Sequence, residues 1–162
     1  MTEQNKHLAS IFHDLASMYR FLGGENPFRA IAYQKASQSI QALPKDIAYY
    51  ITEDSLKEIP GIGTSLEKDI REFGEKGEIR RFERLKKRVP YGLMELMDIR
   101  GFGPQSLKSL HKKLHAESKE EVITALQDGS VSGLKGFGPK KVENMLRSLK
   151  LHKIIEDRML LW

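Results

Sequence analysis

The residues best suited to chemistry in this chain are glycines. The pattern apolar-x-Gly-apolar-Gly occurs three times, as Ile59-Pro60-Gly61-Ile62-Gly63, Ile99-Arg100-Gly101-Phe102-Gly103 and Leu134-Lys135-Gly136-Phe137-Gly138. The first glycines of successive copies are 40 and then 35 residues apart. A hairpin that reverses the chain in about four residues needs backbone angles open mainly to glycine. The missing β-carbon also lets a ligand approach the main chain. Amides at the start of a following helix lack intrahelical partners and carry the positive end of the helix dipole. Together these groups suit one or two phosphate oxygens.

The candidate contacts are Gly61, Ile62, Gly63, Thr64 and Lys68 at the first copy. They are Gly101, Phe102, Gly103 and Lys108 at the second, and Gly136, Phe137, Gly138, Lys140 and Lys141 at the third. Lys57, Arg100 and Lys135 add charge nearby. The middle residues Ile62, Phe102 and Phe137 are expected to point inward and anchor each bend. Such phosphate contacts position a protein on a strand without reading its bases. The alternative is that the glycines serve only as tight turns between helices.

The elements that must position these bends are helical. After the first copy, Leu66, Ile70 and Phe73 recur at helix spacing. After the second, Pro104 suits a first helical turn ahead of Leu107, Leu110 and Leu114. After the third, Pro139 precedes Val142, Met145, Leu146 and Leu149. Short helix-compatible segments, Ser55–Glu58 and Leu93–Met97, lie upstream of the first two. Residues 5–22 carry an apolar stripe from Leu8 to Leu22, ended by Gly23-Gly24. A second helix is predicted over 27–42 and a third around 45–51. No stretch sustains period-two alternation, so the expected fold is all-α, a compact helical domain followed by tandem helix-hairpin-helix motifs.

Composition agrees with a folded chain: 40% hydrophobic residues can build a core and 30% charged residues can solvate its surface. Cysteine is absent, which excludes disulfides and thiolate metal sites. The net charge of +5 is uneven: residues 1–54 carry −1, residues 55–95 carry +2 and residues 96–162 carry +4. The basic excess thus falls where the glycine motifs fall, and can concentrate the chain on a polyanion. The run Arg80–Arg88 holds six basic groups in nine positions. With Phe82 and Leu85 turned to the core, it reads first as a solvated cationic face. The N-terminus shows no signal peptide and no run reaches the ~18 apolar residues of a membrane span. A cytoplasmic, or in a bacterium nucleoid-associated, location without membrane contact is expected.

Other chemistry is thin. His111 and His115 could share a helix face, but no third zinc ligand is evident. Nothing resembles a P-loop, a nucleophile elbow or a paired-carboxylate site. Trp162 reads as a core cap or a frayed end.

In these motifs the chain resembles the N-terminal part of the X-family DNA polymerases, the family of DNA polymerase beta. Asn26-Pro27-Phe28-Arg29-Ala30-Ile31-Ala32-Tyr33 resembles the start of the family's second helix. Ile59 to Phe73 resembles its first hairpin, Ile99 to Leu114 the fingers hairpin, and Leu134 to Leu149 a further hairpin of bacterial members. The resemblance implies an 8-kDa-like helical domain over 1–90, a fingers-like domain over 91–155 and a tail over 156–162. It implies binding of gapped, nicked or duplex DNA in base-excision-type repair, with a hairpin on each side of a break. A separate polymerase or repair enzyme is the further partner it suggests. It also implies a monovalent cation, Na+ or K+, held by the carbonyls of Lys57, Ile59 and Ile62 and of Met97, Ile99 and Phe102. No other cofactor is required. Arg29 and Tyr33 match a 5′-phosphate pocket.

Departures from the family bear on activity. No Asp-x-Asp pair exists to hold two metal ions, so the chain alone is not expected to polymerise. The family's lyase lysine falls at Asp69, which cannot form a Schiff base. Lys68 beside it is turned about 100° around the helix. Ser65 replaces a phosphate-pocket lysine. No catalytic residue is therefore assigned. The alternatives are a 5′-deoxyribose-phosphate lyase using Lys35 or Lys68, and a protein-interaction scaffold.

Overall fold

The computed structural model describes residues 1–24 and 27–160, with side chains as far as Lys153. Asn26 and Trp162, both singled out above, lie outside the described residues. The chain is all-α, with eight α-helices and two 3-10 helices and no strand among the described residues. It divides into two compact units, Met1–Val89 and Pro90–Trp162. No described helix is long and apolar enough to cross a membrane.

In the first unit, helix α1 (Glu3–Leu22) starts two residues before its apolar stripe suggests. The Thr2 hydroxyl explains this, because it accepts from the Asn5 amide and caps the first turn. Leu8, Ile11, Phe12, Leu15 and Met18 face the core, and the helix stops at Gly23 with φ 66°. Helix α2 (Pro27–Gln41) packs along α1 through Ala30, Ala36 and Ser37. Small side chains permit that close approach, and the Ser37 hydroxyl donates to the Ala9 carbonyl of α1 at 2.7 Å. Helix α3 (Ile47–Thr52) is tied to α1 by buried Asn5, whose amide donates to the Lys45 carbonyl and accepts from the Ile47 amide. A 3-10 helix at Leu56–Glu58 leads to the first hairpin and then α4 (Thr64–Lys76), closed by left-handed Gly77. Helix α5 (Arg80–Lys86) buries Phe82 and Leu85.

The second unit opens with a 3-10 helix at Tyr91–Asp98, whose Leu93 and Leu96 are fully buried. Both segments that precede the first two hairpins are thus 3-10 helices. Helix α6 (Pro104–Leu114) buries Leu107 and Leu110. Helix α7 (Lys119–Asp128) was not anticipated by the periodicity, which is short there. Its signal was the cap: the Ser118 hydroxyl accepts from the Glu121 amide, and Glu121 accepts from the Glu117 amide. Helix α8 (Pro139–Leu160) runs past residue 155, where the sequence placed the end of the second domain. Of its expected stripe only Met145 is buried. Val142 and Leu146 instead line an open apolar groove of about 710 Å³ with Leu126, Val131 and Phe137.

Candidate nucleic-acid interface

The three glycine bends have one geometry. In each, the first residue's carbonyl accepts from the middle residue's amide: Ile62 to Ile59 at 3.1 Å, Phe102 to Ile99 at 3.1 Å and Phe137 to Leu134 at 3.2 Å. The first glycines have φ of 83°, 97° and 87°, at Gly61, Gly101 and Gly136, a region disfavoured for residues with a β-carbon. The next helix begins the same way each time, with Glu67, Leu107 and Val142 bonding back to Gly63, Gly103 and Gly138. The amides between the second glycine and that first bond have no intrahelical acceptor. Ile62, Phe102 and Phe137 are buried, while Gly61, Gly101, Gly136 and Gly138 are exposed. Anchors point in and main chain faces out.

Cationic side chains flank these bends. A β-carbon built on Gly61 would lie 3.8 Å from the Lys35 β-carbon, so α2 delivers an exposed lysine to the first bend. The Ser39 hydroxyl braces the same bend by donating to the Pro60 carbonyl at 2.7 Å. Thr64 and Lys68 are exposed beside it, whereas Lys57 is paired with Glu67 at 3.8 Å. In the second unit, Arg100, Gly101, Lys140, Lys141 and Arg147 line one open groove of about 820 Å³. Lys141 is held by the Ser106 hydroxyl at 2.9 Å, and Met145 sits under Gly101. The second and third bends therefore share one cationic surface. Lys135 is exposed and Lys108 half-buried.

A second site lies in the first unit, and the sequence undervalued it. Arg29 of α2, Arg81 and Arg84 of α5, and Arg88 just beyond line a pocket of about 300 Å³ with Tyr19 and Leu22 of α1. Among the described residues, no carboxylate lines it. Arg81, Arg84 and Arg88 belong to the run first read as a solvated face. Their i, i+3, i+7 spacing was the available signal for one shared helix face. The Arg29 guanidinium lies 5.8 Å from the Tyr19 ring centroid, and Arg81 donates to the Tyr19 hydroxyl at 3.4 Å.

Tyr33, which the resemblance matched to a phosphate pocket, is 3% exposed and is not among the described residues that line the arginine pocket. Its ring stacks on Tyr19 at 5.7 Å and meets Phe12 edge-on, because its position on α2 faces α1. Its hydroxyl donates to Asp69 Oδ2 at 2.5 Å. Burial, and then the neighbouring carboxylate, push the phenol far above its ordinary range. Burial also raises the Asp69 carboxyl, against the opposing pull of the Tyr33 hydrogen bond and the Arg81 charge. Asp69 Oδ2 lies 3.7 Å from Arg81 Nε.

Neither Lys35 nor Lys68 lines the arginine pocket. The His111 ring nitrogen contacts the Ala116 carbonyl at 3.1 Å, and no group of three metal-ligating side chains occurs among the described residues. Phe28 and Ile31, one turn apart on α2 beside Arg29, are exposed, although the helical periodicity places Ile31 in the apolar stripe of that helix.

Comparison with known proteins places this geometry. Residues 3–79 match the family described as Helix-hairpin-helix domain, and residues 93–151 match the SAM-like Helix-hairpin-helix tandem. The chain is 33% identical over 133 residues to DNA polymerase/3'-5' exonuclease PolX of Bacillus subtilis, a match covering 82% of this chain and 23% of that protein. It is 30% identical over 112 residues to DNA polymerase lambda of Arabidopsis thaliana, covering 68% and 20%. The chain is homologous to a helix-hairpin-helix region of the X-family DNA polymerases. It spans less than a quarter of the length of either relative. The first match spans the first bend and the second match spans the other two, and this likeness supports DNA binding.

Proposed function

We propose that this chain holds broken DNA, gapped or nicked, through backbone phosphates at its three glycine bends and a terminal 5′ phosphate in its arginine pocket. The observation that carries the reading is the convergence of Arg29, Arg81, Arg84 and Arg88 on one small cavity. A diester offers one charge, whereas a terminal phosphate offers nearly two and three acceptor oxygens. Four guanidinium groups in one pocket suit the richer anion. Bend amides suit internal diesters, which they meet without regard to sequence. The paired bends also fit a monovalent cation, since each turn carbonyl that accepts one hydrogen bond keeps a second lone pair. The carbonyls of Lys57, Ile59 and Ile62, or of Met97, Ile99 and Phe102, would hold it, and its positive charge would favour a phosphate nearby. DNA held in this way is a substrate for a polymerase or another repair enzyme, whether on this chain or separate from it.

If each bend engages about two phosphates, affinity falls with salt at a log-log slope of about −5. Titration of intact, nicked and gapped duplexes over a range of salt measures this, and a slope near zero removes the bends from the interface. Gapped DNA with a 5′ phosphate should bind more tightly than the same gap with a 5′ hydroxyl.

A lyase reading finds no lysine among the described residues that line the pocket, since Lys35 and Lys68 lie outside its lining and Asp69, against Arg81, is a carboxylate. Borohydride reduction in the presence of an incised abasic duplex should therefore leave no covalent adduct on the chain. A trapped adduct would assign a lyase activity to it.

A further inference from the structure

We infer that Asp69 is a positioning residue of the arginine pocket: its carboxylate, fixed by the Tyr33 hydroxyl, holds the Arg81 guanidinium at the wall where a terminal phosphate docks. The inference rests on the phosphate-end reading above and adds the means by which the pocket is preset.

Asp69 sits on the buried face of α4 among Leu66, Ile70 and Phe73, where an apolar residue would be the ordinary choice. Its side chain is only 8% exposed. A buried carboxylate is costly unless it is hydrogen-bonded and paired with a cation. Tyr33 supplies the hydrogen bond at 2.5 Å and Arg81 the charge at 3.7 Å. Arg29, a second pocket arginine, acts on it at longer range.

From the side of Arg81 the same contacts define its orientation. Its Nε is buried, has no hydrogen-bond partner and faces Asp69, while its Nη1 reaches the Tyr19 hydroxyl. Without the carboxylate, that buried donor would face neither acceptor nor counter-charge. A free arginine side chain has many rotamers, and ordering it during binding costs conformational entropy. The Tyr33–Asp69 pair does the ordering in advance. Direct repulsion between Asp69 and a bound phosphate is outweighed, because the carboxylate lies behind Arg81 and the lining of the pocket is cationic.

The test uses the full chain and a pair of gapped duplexes differing only in a 5′ phosphate or a 5′ hydroxyl. The ratio of the two affinities is the readout, because a merely structural defect would lower both together. Asp69→Asn should reduce this ratio about tenfold, the effect of one lost charge-assisted contact. Asp69→Glu, which keeps the carboxylate, should recover part of it. Asp69→Asn combined with Arg81→Gln should lose no more than Arg81→Gln alone, since both act through one guanidinium. Should Asp69→Asn not fold, Tyr33→Phe should lower the ratio by about threefold, the weaker effect of a freed but still charged carboxylate. An unchanged or increased ratio in the folded variant, or additive losses with Arg81→Gln, overturns the positioning role and leaves the phosphate-end reading standing. A wild-type ratio of one rejects that reading itself, and this inference with it.

Discussion

Replacing Arg84 and Arg88 together by glutamine should weaken binding of a 5′-phosphorylated gap by about 100-fold, taking about 1.4 kcal/mol for each lost charge-assisted contact. Both side chains line the pocket and both are exposed, so neither supports the core. The variant should therefore melt within about 0.5 kcal/mol of the parent, as surface substitutions usually do. Binding of the 5′-hydroxyl gap should change by no more than about threefold, because the loss of two cations acts on the remaining DNA only through a screened field. Fluorescence anisotropy with the two duplexes, alongside thermal melting, measures all three quantities. Equal losses on both duplexes would make the arginines general phosphate contacts and remove the special role of the end.

The second large effect concerns the bends. Substituting Gly61, Gly101 and Gly136 together by alanine should bring the salt slope from about −5 towards zero, since each bend accounts for about 1.8 of it at two phosphates. Affinity at moderate salt should fall by about three orders of magnitude, if each bend contributes about 1.4 kcal/mol. The added β-carbons find space at two positions: nothing lies within 4 Å at Gly136, and the nearest atom is 3.8 Å away at Gly61. At Gly101 the Met145 side chain, 3.3 Å away, must give slightly. The stability cost is consequently backbone strain from the positive φ, about 1–2 kcal/mol at each site. Should the triple variant be too unstable, Gly136→Ala alone has the least steric conflict and should still lower the slope by about 1.8. A folded variant that binds DNA as the parent does would leave the bends as turns only, the behaviour expected of a protein-interaction scaffold.

The Lys35 neighbourhood shows where reading residues one at a time falls short. As a lysine in a lyase-like domain it invites a nucleophilic role, yet α2 sets it against Gly61, outside the pocket. Tyr33 shows the reverse: an apparent phosphate ligand becomes a support, because the face of α2 that packs on α1 includes it. Helix α7 was missed for a third reason. Ten residues give only three buried positions, too few for periodicity to stand out, and the cap at Ser118 carries the information instead.

What the sequence determined by itself is the all-α character and the three bends. Each bend is written in five consecutive residues, and its turn hydrogen bond spans only three positions. Its glycine obeys a steric rule that holds whatever surrounds it. The tertiary structure alone decided that Tyr19, Arg29, Arg81, Arg84 and Arg88 share a cavity, and that Asp69 stands behind it. These groups come from α1, α2, α4 and the α5 region, up to 69 positions apart. Which of them meet depends on how the apolar faces of those helices pack, and long-range packing is not encoded in any local spacing.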